Sequence, residues 1–216
     1  MKKLQYTLLT ILFFGILISC GSDKKGTVIE SKDGKVRVEN MKEAGEQMEK
    51  AVNDAEKRRA DRIKRGDTLA MNYKELQAYL PEISGYTKKG KAGGETVSMP
   101  GLGSFSNAEQ EYESGDKEIE IQIMDYNQSV MGYSTATAMF GMNIQVENDE
   151  EKSGTFDTGI EGVRGYEQVS KTEQRAELMY AIADRFFLTI KSNGSNDADA
   201  LKRIAKSMKL SELASK

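Results

Sequence analysis

The clearest pattern along the chain is an alternation of apolar and acidic positions on both sides of Ser114-Gly115-Asp116. Ala108, Gln110 and Tyr112 alternate with Glu109, Glu111 and Glu113, and Ile119, Ile121 and Ile123 alternate with Glu118, Glu120 and Gln122. Successive strand residues point to opposite faces, so this run predicts an antiparallel hairpin with one buried and one acidic face. Glu177 to Ile182 and Phe186 to Ile190 predict a second hairpin, turning at Asp184-Arg185. Gly154 to Ser170 reads as two short strands around Gly159-Ile160-Glu161-Gly162. Near the start, Asp33-Gly34 lies between Thr27-Val28-Ile29-Glu30 and Val36-Arg37-Val38, a turn signal between short β-prone runs.

Helical periodicity takes over elsewhere. Met41 to Arg65 lacks proline and places Ala44, Met48, Ala51, Val52 and Ala55 on one narrow stripe, which predicts a long charged helix closed by Gly66-Asp67. Asn72 caps a short helix carrying Tyr73, Leu76 and Leu80, stopped by Pro81. Ser129 to Met142 predicts a helix packed on the sheet, and Asp197 caps a last one bearing Leu201, Ile204, Ala205, Met208 and Leu213. From Ile83 to Ser106 the glycines and Pro100 read as turns around brief extended pieces. Strand runs followed by helices make an α+β domain, an antiparallel β-sheet flanked by helices.

At the N-terminus, Lys2 and Lys3 precede an apolar run from Leu8 to Ile18, broken by Thr10 and Gly15. That run is shorter than the roughly 20 apolar residues a membrane-crossing helix needs, and it has the layout of a secretory leader. Leu17-Ile18-Ser19-Cys20 resembles the bacterial lipobox, an aliphatic residue, a variable one, a small one and a cysteine. The resemblance implies cleavage before Cys20, a diacylglycerol on its thiol and an acyl chain such as palmitate on the new amine. The division that follows is a signal-peptide helix at 1–19, a lipidated tether at 20–40, a charged spacer helix at 41–66 and an α+β globular domain at 67–216.

The order of elements from Tyr73 to Leu213 resembles the PsbP-like α/β/α sandwich, with the Leu80-Pro81-Glu82-Ile83-Ser84-Gly85-Tyr86 turn and the Ile-alternating strand as its residues. That resemblance implies a binding or assembly accessory without catalysis. The lipobox implies a cell-envelope location, a lipid anchor in the outer membrane facing the periplasm, with the membrane and an envelope protein as partners.

Composition narrows the chemistry further. The sequence has no histidine and one cysteine. Histidine-based triads and His-ligated metals are therefore excluded, and with Cys20 given to lipid the domain carries no intramolecular disulfide. A formal charge of −3 argues against a nucleic-acid partner. There is no P-loop, no Gly-x-Gly-x-x-Gly after a strand and no Cys/His metal spacing. Neither a cofactor nor a resident metal is expected.

Four constellations remain. Glu109, Glu111, Glu113, Glu118 and Glu120 share one predicted sheet face and read as a solvated face ahead of a cation or acid/base site, although no lysine of the hairpin stands opposite to relieve them. Met131 and Met139-Phe140-Gly141-Met142 are core filler before they are Cu(I) ligands. Lys57, Arg58, Arg59, Arg62, Lys64 and Arg65 crowd the end of the long helix, where cations complement the dipole; a contact with anionic lipid is the competing reading. Asn196-Asp197-Ala198-Asp199 fits capping better than a calcium loop. The sequence thus points to a non-catalytic envelope lipoprotein with Cys20 as its attachment residue. The alternatives are a histidine-free hydrolase working through Ser/Lys or paired carboxylates, and a binder of anionic lipid or polymer through the basic helix end.

Overall fold

The computed structural model describes residues 27–31, 34–38, 41–99, 103–127, 129–141 and 144–216. Residues 1–19, read from sequence as a signal peptide, the Leu17-Ile18-Ser19-Cys20 tetrad, Asp33, Pro100 and Met142 lie outside them. In chain order the elements are β1 (Thr27–Ser31), β2 (Gly34–Val38), α1 (Met41–Lys64), α2 (Tyr73–Gln77), β3 (Thr87–Met99), β4 (Gly103–Ser114) and β5 (Lys117–Asp125). After them come α3 (Val130–Ala136), α4 (Ala138–Gly141), β6 (Ile144–Glu147), β7 (Glu151–Phe156), β8 (Val163–Ser170), β9 (Arg175–Ile182), β10 (Phe186–Asn193), α5 (Ala198–Ser207) and α6 (Leu210–Ala214).

The described strands form one sheet in the order β1-β2-β6-β7-β8-β9-β10-β5-β4-β3. Every pairing in it is antiparallel. The chain crosses the sheet twice: after β2 it passes through α1 and α2 to β3 at the far edge, and after β5 through α3 and α4 to β6, from which it returns strand by strand until β10 pairs with β5, Ile190 opposite Ile121. The hairpin of β1 and β2 joins the sheet through β6, with Val36 opposite Val146.

Both faces of the sheet carry helices. On one, Ala108, Tyr112, Ile119, Ile121 and Ile123 line up with Leu178, Tyr180, Ile182, Phe186, Leu188 and Ile190. Leu76 of α2, Leu201 and Ala205 of α5, and Leu210 and Leu213 of α6 cover them. The opposite face has a smaller apolar island, Met179 and Ala181 beneath Tyr133 and Phe140, with Tyr166 and Phe187 at its margin. The alternation read around Gly115 is seen directly as a buried–exposed pattern in β4 and β5.

Three expectations need correction. The stretch read as irregular, Ile83 to Ser106, contains the 13-residue strand β3. Its glycines serve the strand: the register shifts between Lys89 and Gly93, and a Cβ on Gly94 would stand 2.5 Å from the Asn107 carbonyl oxygen. Glycine here permits a bulge and a close backbone approach. The helix read across Ser129 to Met142 is broken at Thr137, whose φ of −105° and ψ of 7° leave the helical region. The terminal helix breaks at Met208, which is extended, so that Leu210 and Leu213 of α6 can reach the core at a new angle.

Because Ile121 is fully buried in the sheet centre, Ile121→Ala is expected to lose about 2–5 kcal/mol in urea unfolding. Glu113→Ala on the exposed face is expected to stay within about 0.5 kcal/mol. A loss below about 1 kcal/mol for Ile121→Ala would contradict the packing.

Candidate functional site

The turn from α1 into the domain is held by a buried polar knot. The Arg185 guanidinium donates from Nε to Asp125 Oδ1 at 2.9 Å and from Nη2 to Asp125 Oδ2 at 2.8 Å, a bidentate pair. Its Nη1 donates to Asp67 Oδ2 at 2.6 Å. Asp125 also accepts the backbone N–H of Met71 at 2.7 Å and of Asn127 at 2.9 Å. The Asn127 amide donates to Leu69 O at 2.6 Å and to Asp67 Oδ1 at 3.2 Å, while its Oδ1 accepts from Arg62 Nε at 3.2 Å. Burial, and then the charge of Arg185, pull the Arg62 guanidinium below its ordinary value. Burial pulls Arg185 the same way, but its bonds to Asp125 overcome that and raise it.

One residue before Arg185, the β9–β10 turn is strained. Ala183 and Asp184 have φ of 52° and 51°, the left-handed region that favours glycine. Left-handed backbone at both lets the Arg185 N–H donate to Ile182 O at 3.0 Å within the three-residue turn between the paired Ile182 and Phe186, and alanine is an uncommon occupant there. The turn spans Ala183 to Arg185 and so contains the Asp184-Arg185 pair marked in the sequence; a bond from Ala183 N–H to Gly162 O at 2.9 Å holds it. The nearly buried Asp184 carboxylate forms ion pairs with Arg58 of α1 and with Arg164 of β8, the latter at 3.6 Å. The Arg164 guanidinium lies over the Phe140 ring at 5.8 Å. Close by, burial, followed by the charge of Asp184, pushes the pKa of the buried Tyr133 hydroxyl up against the opposing pull of Arg164.

These groups border a cleft of about 740 Å3. Lys50, Asp54 and Arg58 of α1 form one wall; Ile160 to Arg164 and the strained turn form the other; Ser211, Ala214 and Ser215 close an end. The β7–β8 loop that supplies Ile160 is tightly tied: Asp157 Oδ1 accepts from Gly159 N–H at 2.9 Å, and Thr158 Oγ1 donates to Val163 O at 2.9 Å. On the loop's other side lies a second cleft of about 580 Å3, lined by Phe156, Tyr180, Lys202 and Lys206 among others. Beside it the buried Glu167 accepts ion pairs from Lys152 at 2.7 Å and Lys202 at 2.6 Å. Burial alone would raise the Glu167 carboxyl, but its bonds to Lys152 and Lys202 outweigh burial and hold it below the usual range.

The residues singled out from sequence scatter. The five glutamates do share the uncovered part of one face, and Lys89 of β3, a strand invisible in the pattern, supplies the missing cation at 3.5 Å from Glu111 and 3.1 Å from Glu118. Met139 packs against the apolar island; the Met131 side chain and Met142 lie outside the described residues. The basic cluster divides. Arg62 is buried in the knot and Arg58 is paired with Asp184, whereas Lys57 is exposed and Lys64 pairs with the exposed Asp61 at 3.3 Å. Asp197 caps α5 by accepting from Ala200 N–H at 2.8 Å. Among the described residues no group of three or more Cys, Asp or Glu is placed to hold a metal ion. Both the knot and the cleft join residues more than a hundred positions apart, such as Asp67 with Arg185, and no local pattern marks such pairs.

No helix of the described residues is long and apolar enough to cross a membrane. No family model matches the chain, and no curated protein does. Among solved structures the chain is similar to the extracellular domain of PknH from Mycobacterium tuberculosis, at 12% identity and a TM-score of 0.34, covering 69% of this chain and 94% of that one.

Two consequences are measurable. Removing one partner of a buried ion pair strands the other, so Asp125→Ala is expected to cost about 3–5 kcal/mol in denaturant unfolding; a loss within about 0.5 kcal/mol, the scale of a surface change, would contradict the knot. Glu167 has a lowered folded pKa, so its contribution is complete above the ordinary carboxylate value of about 4.3 and fades as pH falls through the lower folded value. Glu167→Gln is expected to be less stable at neutral pH, with the gap to wild type narrowing as acid is added; a constant gap down to the end of the acid titration would exclude this linkage.

Proposed function

We propose that this chain is a lipid-anchored bacterial envelope protein whose domain is a non-catalytic binding accessory, taking its ligand in the cleft between α1 and the β9–β10 turn. Two features support the anchored part: the Leu17-Ile18-Ser19-Cys20 tetrad, and the basic residues and apolar run that precede it. Cys20 carries the lipid in this reading, the lipidated stretch 20–40 includes the β1–β2 hairpin that pairs with β6, and the membrane is the outer one, seen from the periplasm. The observation that carries the binding part is the cleft itself, whose far wall is a turn with two non-glycine residues in left-handed backbone. Such strain is concentrated at sites where it shapes a function. The placement of α1 also speaks for it, because the helix that follows the β1–β2 hairpin forms the near wall of the cleft.

The reading in which the basic helix end is the working surface has less support. Arg58 and Arg62, two of its six cations, are engaged by Asp184 and Asn127. The hydrolase alternative has no specific observation in its favour.

Intact-mass measurement of the membrane fraction tests the anchor. Wild type is expected to carry the mass of a diacylglycerol and an acyl group, absent from Cys20→Ser; an unlipidated wild-type chain would refute it. A fragment titration followed by amide shifts tests the cleft. Shifts grouped on Gly162, Val163 and Ala183 support it, and a set grouped elsewhere on the domain overturns it.

A further inference from the structure

We infer that the cleft recognises its ligand through a free carboxylate seated on Arg58 and Arg164, with a small apolar body against Ile160, Val163 and Ala214. This rests on the cleft being the ligand site and names the chemistry that fits it.

The first reason is charge. Two guanidiniums share one carboxylate, Asp184, so the inner cleft holds one positive charge more than its acid cancels. The second is donor geometry. Arg164 stands 3.6 Å from Asp184 Oδ1, beyond hydrogen-bond length, and its side chain is 41% exposed. Arg58 is 54% exposed while it meets the opposite oxygen, Asp184 Oδ2. A guanidinium has five N–H donors in a planar fork, and each arginine keeps part of that fork open to the cleft. Planar two-oxygen acceptors match such forks bidentately.

Preorganisation is the third reason. Arg164 is oriented by the Phe140 ring, and Asp184 is fixed in left-handed backbone between the two arginines. Ligand binding therefore need not order either group afresh.

The remaining charged groups narrow the anion. Lys50 at the rim is opposed by Asp54 on α1 and by Glu161 of the loop. The lining as a whole sets Lys50, Arg58 and Arg164 against Asp54, Glu161 and Asp184, so a doubly charged phosphate brings two uncompensated charges and a single carboxylate one, seated at the two guanidiniums where the local balance is positive. The apolar residues on the floor then favour a carboxylate attached to a hydrocarbon or methyl-bearing body, and the volume lies in the range of about 300–1,000 Å3 usual for small-ligand sites.

The test uses full-length lipidated protein in detergent, titrated with hexanoate, N-acetyl-dialanine, the amides of both, and inorganic phosphate. Heat of binding and the amide shifts of Gly162, Val163 and Ala183 are read together. At least one carboxylate is expected to bind tenfold or more tightly than its own amide, with shifts at those three positions. Arg164→Gln and, separately, Arg58→Gln are expected to remove that preference, so a folding defect in one variant leaves the other to decide. Preference for hexanoate assigns an aliphatic acid, and preference for N-acetyl-dialanine a peptide carboxylate; either supports the inference. Equal binding of acid and amide at the cleft, phosphate binding as tightly as the carboxylates, or a preference that survives in both variants overturns the carboxylate and leaves the cleft as a site. Absence of shifts at the three positions with every probe overturns both.

Discussion

The bidentate pair between Arg185 and Asp125 is the constraint around which the rest of the domain is arranged. A carboxylate with no exposure at the end of β5 is costly to bury unless its oxygens are fully paired and hydrogen-bonded. It receives two N–H groups of Arg185 and two backbone N–H groups, from Met71 and Asn127. Those donors come from three separate parts of the chain. Satisfying one buried acid therefore fixes the β9–β10 turn, the segment after α1 and the start of the β5–α3 connection with respect to one another. Asp67 and Asn127 extend the arrangement to Arg62, which brings the end of α1 down onto the sheet.

The cleft is a consequence of that docking. With Arg62 buried, Arg58 lies one turn earlier on the same side of α1 and meets Asp184, the neighbour of Arg185. Earlier still, Asp54 and Lys50 diverge from the sheet rim and leave the cleft between them and the β7–β8 loop. The turn residues next to Arg185 adopt left-handed backbone because the guanidinium, the Gly162 carbonyl and the two arginines beside Asp184 all specify their positions. Strain of this kind persists only where surrounding contacts over-determine it.

The two faces of the sheet have been solved differently. One is a continuous apolar layer under α2, α5 and α6. On the other, a compact aromatic island lies under α3 and α4, and beyond it the face is polar, with the five glutamates of β4 and β5 and with Lys191 opposite Glu120. Lys89 on the neighbouring strand relieves the close approach of Glu111 and Glu118. Two lysines on the covered side do the same for Glu167, where burial makes the compensation more consequential.

The sequence by itself determined what repeats locally. The alternation around Gly115 decided β4, β5 and the face each residue takes, because side chains along a strand alternate whatever lies beside it. Asn72 and Asp197 announced their helices because capping is a bond between near neighbours in the chain. Tertiary structure alone decided the rest. Strand β3 exists because β4 offers it an edge, despite the glycines that made it read as loop. The breaks at Thr137 and Met208 follow from the surfaces that α4 and α6 must reach. Arg62, indistinguishable in sequence from the exposed Lys57, is drawn inward by Asn127, and Arg58 is held at the cleft by Asp184, partners more than sixty residues away. Pairing of that kind depends on which distant backbone arrives alongside, and a one-dimensional pattern carries no record of it.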